Sequence, residues 1–501
     1  MRTSRGAPIL SVTSALVLAF ALALASTALA LSVATVSGPS PFSSCVQPAA
    51  GGTNYLNTEV EPWLAANPTN AANLIAAYQQ DRWSNGGARG LVAAASFDGG
   101  ATWGTKKALP FDQCSGDPNY ERASDPWVSF GPDGIAYAVG LSFNMSNANN
   151  AVASVTSTDG GKTWKNHRYQ IRDDDQNQFF DDKESVTADP TRTKTAYVVW
   201  DRLVGPANNA AVEAHNFFAF TGPAWFSRTT DGGLTWSTPQ IIVSTGQNQQ
   251  TIDNQIVVGP DGTLYDFFDL ILGTGPNMGP LALAPHGLNE AVIKSSDGGT
   301  TWTSPTIITH ITASRVSDPN TGQSLRTHDF GGTPAVDPNT GQLYFVWQDG
   351  RNTGGAFTQI LLTTSTDGGA SWSPPSVVSG TASQSAFNPS IAAGADGTLG
   401  LNYYRLESIP ASNTTTLPTD VWFRSSAAGG AAFGAEEHVV GPFNFLAAAN
   451  AGGFFLGDYN ATVPVGATFV ADFGVTTCDD TSCSATAGAV NPSDIDAATL
   501  P

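Results

Sequence analysis

The sequence is poor in charged side chains, and the basic ones are outnumbered. Charged residues make up 13% of the 501 positions, and 22 Lys and Arg stand against 42 Asp and Glu, which gives a formal net charge of −20. A chain this acidic repels phosphate backbones and anionic lipids, so we expect neither nucleic acid nor a membrane surface as a partner. Carbohydrates, which are mostly neutral or weakly charged, stay open as partners.

Long apolar runs are missing beyond the first thirty residues, and no later segment is apolar enough to span a bilayer. Residues 1–30 combine two arginines, an apolar run and the small-x-small pattern Ala28-Leu29-Ala30, which are typical of a signal peptide. We expect cleavage after Ala30. The chain is therefore predicted to be secreted, without membrane contact after cleavage, and we expect a monomer.

Cysteine is scarce, with four copies at Cys45, Cys114, Cys478 and Cys483. An even count in an exported chain suggests disulfides, and three pairings are possible. Cys478 with Cys483 would close a short local loop. Cys45 with Cys114 would then tie the N-terminal tail to the first part of the repeated region.

Signals for cofactors and metals are weak. The histidines are scattered, no phosphate-binding glycine loop or nucleophile elbow stands out, and the cysteine spacing does not suggest a metal site. Asp173, Asp175 and Asn177 alternate like calcium ligands, but they lack the Gly and the distal Glu of a dedicated loop. We therefore predict no cofactor and no metal, and interpret this segment as a solvated loop.

One eight-residue pattern, called the octet below, recurs at spacings of 61 to 72 residues. Good copies are Ser96–Trp103, Ser157–Trp164, Thr229–Trp236, Ser295–Trp302 and Ser365–Trp372, and a worn copy is Ser426–Phe433. Each good copy places Asp-Gly-Gly two residues after a Ser or Thr and ends in Trp. A repeat of this length predicts a solenoid, an array or a propeller.

The octet predicts a hairpin corner and not a reaction centre. Asp-Gly-Gly favours a tight turn with positive φ, and the Asp carboxylate can accept hydrogen bonds from the amides of its own turn. The Trp would then pack against the sheet from the returning strand. An enzyme needs one catalytic centre, whereas a structural corner is needed once in every repeat.

A second phrase recurs in the other half of the repeats, for example Asp125-Pro-Trp-Val-Ser-Phe-Gly-Pro-Asp-Gly and Asp253-Asn-Gln-Ile-Val-Val-Gly-Pro-Asp-Gly. Each repeat therefore reads as four short strands, with the octet between the third and the fourth, and no helical period intervenes. Four-stranded sheets repeated around an axis form a β-propeller. We predict an all-β propeller over residues 59–501, with seven blades favoured, six as the alternative, and a possible closing strand within residues 31–58.

The octet resembles the Asp-box, or BNR repeat, of sialidases and sialidase-like propellers. The resemblance covers residues 59–501 at the level of architecture and looks closest to exported bacterial sialidase-like proteins. It implies octets on the periphery of the fold and an exo-α-sialidase-like glycosidase activity.

The catalytic set of true sialidases is only partly matched. Such enzymes grip the substrate carboxylate with three Arg, and they use an Asp as acid/base and a Tyr–Glu pair as nucleophile. The first Arg position reads Val60-Glu61-Pro62 here, whereas Arg82 matches a second family Arg. Residues 84–90, where the acid/base Asp should lie, contain no carboxylate. The resemblance thus implies the fold and predicts a site that departs from that of true sialidases.

A propeller binds ligands at the mouth of its central channel, where the first strand of each blade begins. Counting seven residues back from the Pro of the first turn in each blade gives one register, with Asn388 and Asp458 placed by their own turns. The register holds Glu61, Asp125, Lys183, Asp253, Gly331, Asn388 and, within about one position, Asp458. We predict a polar ring in which Glu61, Asp125, Asp253 and Asp458 are candidate catalytic carboxylates. Alternatively, each carboxylate caps its own strand.

The corners between second and third strands carry candidate substrate-binding residues, and the last repeat adds a tyrosine. These residues are Arg82, Trp83, Arg202, Arg351, Arg405 and Tyr459. Arg matches a carboxylate with two parallel hydrogen bonds, which would suit an acidic sugar. Each Arg could instead pair with a nearby Asp and stiffen its corner, and Trp83 could pack under its loop.

Two functions stay open. We predict a secreted sialidase-like glycoside hydrolase that acts on extracellular glycans and has a carbohydrate or glycoconjugate as partner. The alternative is a non-catalytic propeller that binds glycans or proteins, because a fold by itself says little about chemistry.

Overall fold

The structure is a computed structural model, and it describes residues 1, 31–174, 178–205, 221–273, 287–329, 331–380, 383–430, 432–477 and 493–501. The predicted signal peptide, the predicted Cys478–Cys483 bridge, and Asp175 and Asn177 of the candidate calcium loop lie outside the described residues. No helix within the described ranges has the length and hydropathy needed to cross a membrane.

Short strands make up nearly all the regular structure of the compact unit Leu31–Pro501. The first strands are β1 (Ser32–Thr35), β2 (Glu59–Ala66), β3 (Leu74–Arg82), β4 (Ala88–Ser96), β5 (Thr105–Leu109), β6 (Arg122–Phe130), β7 (Ala136–Phe143), β8 (Asn150–Ser157) and β9 (Lys165–Asp173). Then come β10 (Phe179–Ala188), β11 (Ala196–Val204), β12 (Thr221–Gly222), β13 (Ala224–Thr229), β14 (Gln240–Val243), β15 (Gln249–Val258), β16 (Leu264–Leu272), β17 (Leu288–Ser295) and β18 (Thr306–His310).

The remaining strands are β19 (Leu325–Arg326), β20 (Gly332–Val336), β21 (Leu343–Asp349), β22 (Gln359–Ser365), β23 (Ser376–Val377), β24 (Ala386–Ala393), β25 (Leu399–Leu406), β26 (Pro418–Ser426), β27 (Glu437–Asn444), β28 (Ala449–Asn450), β29 (Phe454–Phe455), β30 (Ala461–Val465), β31 (Thr468–Thr476) and β32 (Ser493–Leu500). Single-turn 3-10 helices span Arg351–Thr353 and Phe445–Ala447.

The strands pair antiparallel into four-stranded units. These are β2-β3-β4-β5, β6-β7-β8-β9, β10-β11-β13-β14, β15-β16-β17-β18, β20-β21-β22-β23, β24-β25-β26-β27 and β30-β31-β32-β1. The first strand of each unit packs against the first strand of the next, and β30 packs against β2. The described strands thus form seven units in a closed ring, which is a β-propeller.

Both ends of the described chain meet in the last unit. Strand β1 pairs with β32, with Ser32 opposite Thr499 and Thr35 opposite Asp496. Residues 36–58 then continue toward the first unit without a strand of their own. A disulfide joins Cys45 of this segment to Cys114, which is one of the pairings that the sequence left open.

Middle strands of the units are buried on both faces because each sheet packs between two neighbours. Strands β3, β7, β8 and β21 are buried along their whole length, whereas the outer strands β5 and β9 are partly exposed. Polar residues are buried in these strands too, as in Gln79 to Arg82 at the end of β3.

The octets lie at the exposed outer corners. In the first octet the Asp98 carboxylate accepts hydrogen bonds from the amide and hydroxyl of Thr102, at 2.9 and 2.6 Å, and from the Ser96 hydroxyl at 2.8 Å. The same bonds recur around Asp159, Asp231, Asp297 and Asp367. Each octet is thus a self-bonded turn.

Several octets also bind the unit before them. The Asn73 amide donates to the carbonyl of Gly160 at 3.1 Å, and Lys294 donates to the carbonyl of Gly368 at 3.1 Å. Arg228 makes the equivalent bond to Gly298 at 2.5 Å. The octet is therefore a fastener both within and between units, and it takes no part in the centre of the ring.

Candidate functional site

The residues of the predicted polar ring lie at an irregularity that recurs in the first strands of the four-stranded units. The pairing register shifts around Glu61, Asp125, Lys183, Asp253 and Asn388, as in a β-bulge. Each of these residues has a left-handed backbone, with φ between 47° and 63°. Non-glycine residues with positive φ are strained and concentrate at functional sites. The bulge gives these side chains a direction different from that of their strand neighbours.

Glycine occupies the other two positions of the ring. A Cβ at Gly331 would lie 2.1 Å from Cε1 of His328, and a Cβ at Gly457 would lie 2.9 Å from the backbone of Glu61. The space beside Gly331 is therefore filled by the His328 ring. At the last position the carboxylate comes from the next residue, Asp458, which accounts for its offset of one in the predicted register.

The ammonium group of Lys183 is the hub of the ring. Its Nζ lies 2.7 Å from Oδ2 of Asp458, 3.8 Å from Oδ1 of Asp253 and 3.9 Å from Oε1 of Glu61. Burial opposes the charge, but these carboxylates hold the pKa of Lys183 well above its usual value. The structure thus brings three of the four predicted catalytic carboxylates around one cation.

Asp458 also binds Arg326, a residue that was not among those predicted from the sequence. The guanidinium donates to Oδ2 at 2.6 Å and to Oδ1 at 3.2 Å, and it packs 4.2 Å from the centre of the Phe455 ring. Arg326 reaches this position because β19 pairs in parallel with β29. Although burial acts the other way, Arg326 and Lys183 hold the pKa of Asp458 well below its usual value.

A hydrogen-bonded chain connects Arg82 with the fourth predicted carboxylate. Arg82 donates to Oε1 of Gln79 at 2.6 Å, and the Gln79 amide donates to Glu61 and to the Ser124 hydroxyl. Ser124 in turn contacts Oδ1 of Asp125 at 3.3 Å. Arg82 is buried, and it is connected to the ring carboxylates through Gln79.

The pKa values of Glu61 and Asp125 are shifted in the direction opposite to that of Asp458. Desolvation raises the pKa of Glu61 to about 7 and the pKa of Asp125 to about 7, even though the Lys183 charge lowers both. Asp182, the neighbour of Lys183, has its pKa raised to about 6 by the same cause. The ring therefore holds carboxyl groups that keep their protons near neutral pH next to one that does not.

Aromatic rings form the inner wall beside the hub. Trp63 stacks on Trp127, and the Tyr459 ring meets Trp127 edge-on with centroids 5.3 Å apart. Lys183 lies 5.3 Å from the centre of the Tyr459 ring. Burial raises the pKa of Tyr459 well above its usual value. The predicted substrate-binding Tyr459 is therefore part of the site.

The site opens through a cleft of about 180 Å³ that is lined by residues of the irregular segment between β18 and β20. Its lining includes Arg315, Arg326, His328 and Asp329, together with Lys183, Asp253 and Asp458 of the ring. Burial raises the pKa of Asp329 to about 6. Glu61 and Asp125 do not line the cleft.

One side of the cleft carries donors that could hold a metal ion. Ligand atoms of Asp253, Asp269 and His328 all lie within 4.8 Å of one another. Glu290 is paired across the sheet with Asp269. Burial, with the charges of neighbouring carboxylates, raises the pKa of both Asp269 and Glu290 well above its usual value.

Three predicted arginines have other partners. Arg202 binds Asp173 and packs on Phe179, Arg351 binds Asp349 at 2.6 Å, and Arg405 binds Glu436 at 2.5 Å. Among the described contacts, these are the corner pairings that the sequence analysis gave as the alternative.

Trp83 is packed under its loop. Its side chain is buried, its indole N–H donates to Gln47 at 3.1 Å, and the Arg122 guanidinium lies 4.2 Å from its ring. The structure thus places Arg82 near the ring, but it encloses Trp83 within the fold.

Sequence reasoning missed Arg315, Arg326, His328 and Asp329. A signal was present, since Arg326-Thr-His328-Asp329 ends two positions before the ring position Gly331, and Arg and His close to a predicted site in the sequence suggest that they belong to it. It also missed Glu290, which only the cross-strand register places beside Asp269.

One family model matches part of the chain. The BNR/Asp-box repeat model matches residues 155–166, the second octet, and this confirms the resemblance of the octets to the Asp-box. No curated protein matches the chain in sequence.

Similar solved structures include sialidases and an arabinanase. The Hadza microbial sialidase Hz136 has a TM-score of 0.45 at 16% identity, over 87% of this chain and 74% of that one. A point mutant of NanB sialidase from Streptococcus pneumoniae has a TM-score of 0.47 at 10% identity, over 90% and 94%. The Penicillium chrysogenum α-L-arabinanase complexed with arabinobiose has a TM-score of 0.41 at 12% identity, over 89% and 97%.

Proposed function

We propose that the protein is a glycoside hydrolase that acts on extracellular glycans at the mouth of its central channel. The observation that carries the proposal is the convergence of Glu61, Asp253 and Asp458 on the Lys183 ammonium group, each within 3.9 Å of Nζ. Glycoside hydrolysis generally needs two carboxyl groups that flank the scissile bond.

The spacing of these groups fits that chemistry. Retaining glycosidases place their carboxyl groups about 5 Å apart and inverting ones about 6.5–9.5 Å apart. Because Nζ lies 3.9 Å from Oε1 of Glu61 and 2.7 Å from Oδ2 of Asp458, these two oxygens are at most about 6.6 Å apart, which allows the spacing of a retaining enzyme. Their environments also differ, since Asp458 is bound by two cations whereas Glu61 is buried with a raised pKa.

The roles follow from these environments. Asp458 faces the cleft as a carboxylate and would attack the anomeric carbon or activate a water molecule there. Glu61 would deliver its proton to the leaving oxygen. Lys183 and Arg326 would orient Asp458, while the Tyr459 and Trp127 rings shield the reaction from water.

A binding propeller without catalysis is the second candidate, and one observation favours it. Glu61 and Asp125 are 1% and 4% exposed and line neither side of the cleft, so a proton donor is less accessible than the base. A glycan held by Lys183, Arg326 and the aromatic rings would need no such donor.

Hydrolysis is tested by sugar release from a panel of sialylated, uronate-containing and arabinan substrates. We expect turnover of one substrate class, and we expect Asp458→Asn and Glu61→Gln each to lower kcat/KM by about 10²–10⁴-fold, the usual contribution of a positioned acid or base. The matched control is Asp472→Asn. This carboxyl is buried in the last unit away from the cleft, and burial raises its pKa to about 8, so Asn resembles its neutral form.

Each outcome decides between the candidates. Turnover that survives both substitutions contradicts the assigned pair. Saturable glycan binding without turnover over the whole panel overturns hydrolysis and supports the binding propeller. Absence of both overturns both candidates.

A further inference from the structure

We propose that the protein binds one divalent cation, of the Mn²⁺ or Zn²⁺ class, between Asp253, Asp269 and His328, with Glu290 as a fourth donor. The proposal does not depend on the hydrolase proposal, because none of the four residues belongs to the reacting pair Glu61 and Asp458.

The donors come from separate parts of the fold. Asp253 lies in the bulge of β15, Asp269 on β16, Glu290 on β17 and His328 in the irregular segment before β20. Ligand atoms of the first two and of His328 lie within 4.8 Å of one another, which a small movement can close around an ion with bonds near 2.0–2.2 Å. Three strands and a loop would therefore share one ion.

The histidine is oriented as a ligand. Its Nδ1 lies 3.1 Å from the backbone carbonyl of Asp458, and a carbonyl oxygen only accepts, so Nδ1 carries a proton. A metal-bound His generally donates its second N–H to such a carbonyl, and this fixes its tautomer. Nε2 then faces Oδ2 of Asp253 at 2.5 Å. At this distance a proton lies between the two atoms, and a cation would replace that proton once Nε2 and Oδ2 move apart to the roughly 3 Å that separates neighbouring ligands.

Glu290 supplies the independent indication of a ligand. It is 1% exposed, and neither of its carboxylate oxygens accepts a hydrogen bond from the described residues. It lies directly opposite Asp269 in the β16–β17 register, and directly opposed residues have Cβ atoms about 5 Å apart on one face of the sheet. Among the described residues, the donor near the Asp269 carboxylate, also 1% exposed, is the Gly331 amide. Two buried acids without strong donors thus lie side by side, and the Glu290 carboxylate, which is outside the 4.8 Å cluster, would turn toward Asp269 to reach the ion.

Charge balance favours a cation over further protein donors. Lys183 approaches the other oxygen of Asp253, Oδ1, at 3.8 Å, but its closest contact is Asp458 at 2.7 Å. Arg351, which is near Glu290, binds Asp349. A mixture of carboxylates and one imidazole suits Mn²⁺ or Zn²⁺ better than Ca²⁺, which prefers six to eight oxygen ligands.

The ion would connect the cleft segment to the ring. His328 is two residues from Arg326, which holds Asp458, and Gly331 leaves the space that the His328 ring fills. Binding would therefore stabilise the wall of the cleft as well as neutralise the buried acids.

The test is calorimetric titration of the full protein, first treated with EDTA, with Mn²⁺, Zn²⁺ and Ca²⁺ separately, together with metal analysis of the untreated protein. We expect one equivalent of Mn²⁺ or Zn²⁺, a higher Tm with the ion, and affinity lowered at least about tenfold by Asp269→Asn and by Glu290→Gln. The matched control is Asp266→Asn on the same strand. Asp266 is equally buried and has no hydrogen-bond partner among the described residues, but it is three positions from Asp269 on β16 and so on the opposite face of the sheet, so its variant should bind normally.

A second readout covers variants that fail to fold. Co²⁺ bound to the wild-type protein should give visible absorption bands that change in His328→Gln. Absence of binding by all three ions overturns the proposal and leaves a proton between His328 and Asp253. Binding that Asp269→Asn and Glu290→Gln leave unchanged also overturns it. Since neither readout uses turnover, failure here is distinct from failure of the hydrolase proposal.

Discussion

The outer corners and the inner ring of the propeller use aspartate in opposite ways. At the corners Asp98, Asp297 and Asp367 are exposed, and each carboxylate accepts bonds from the amides and hydroxyl of its own turn, which lowers its pKa. In the ring Glu61 and Asp125 are buried, and desolvation raises the pKa of each to about 7. The same functional group is thus a stable fastener in one place and a reactive or ion-binding group in the other.

The difference shows that the repeated octets and the candidate functional site occupy separate parts of this fold. The five corners that contain an Asp carry the same local bonds, so the hydrogen-bonding groups of each are satisfied within eight residues. The ring positions share only their bulged backbone, and their side chains vary from Lys183 to Asn388 and Gly331. Variation at equivalent positions around one axis is what a single asymmetric site requires.

The comparison is tested most strongly by Asp458→Asn. The substitution removes the closest partner of both Lys183 and Arg326, and loss of one member of a buried ion pair costs about 3–5 kcal/mol. We expect a loss of unfolding free energy at the lower end of this range, because Lys183 retains Glu61 and Asp253. Urea unfolding at pH 7 measures it, provided that the transition is two-state.

The control for Asp458→Asn is again Asp472→Asn, which replaces a buried carboxyl that is mostly neutral at pH 7. A much smaller loss is expected there. Equal losses in the two variants would mean that the charge of Asp458 does not matter and that only its packing does.

Glu61→Gln tests the inner half of the comparison through the pH dependence of the unfolding free energy. The pKa of Glu61 is about 7 in the folded protein and near 4.3 in the unfolded chain, so the folded state holds more protons between these pH values. Its contribution to stability is therefore greatest below about pH 4.5, decreases as the pH rises to about 7, and is constant above.

The Gln variant lacks this contribution. Its unfolding free energy relative to the wild type should rise by at most about 1.4 kcal/mol per pH unit within the window. Denaturant unfolding at pH 5, 6, 7 and 8 measures the difference, in which the other buried carboxyls cancel. If the difference in unfolding free energy between the Gln variant and the wild type is constant or falls as the pH rises, the raised pKa of Glu61 is contradicted.

The ring could be predicted because it depends on a local period. Turn residues seven positions after each bulge mark Glu61, Asp125, Lys183 and Asp253 in the sequence, and a constant count survives changes of side chain. The octets were predictable for the same reason, since their bonds close within one turn.

The cleft residues from the segment between β18 and β20 could not be predicted in this way. Arg326 reaches Asp458 only through the parallel pairing of β19 with β29, which joins segments about 130 residues apart. No periodic pattern encodes such a contact. The partners of the corner arginines were not predictable either: Arg202 and Arg405 follow a repeated pattern, but each binds an acidic side chain about 30 residues away in sequence, Asp173 and Glu436.

Asp297→Asn tests the outer half of the comparison and should have the smallest effect. Bonds from the amide and hydroxyl of Thr301 and from Ser295 lower the pKa of Asp297 to about 2, against about 3.9 in the unfolded chain. Its stabilisation is therefore present above about pH 4 and is lost as the pH falls through about 2. We expect a slightly lower Tm than the wild type at pH 7, with a gap that narrows between pH 4 and 2.5, which is the reverse of the Glu61 behaviour. A gap that widens in acid, or a Tm loss as large as that of Asp458→Asn, would show that the corners are not independent, locally satisfied turns.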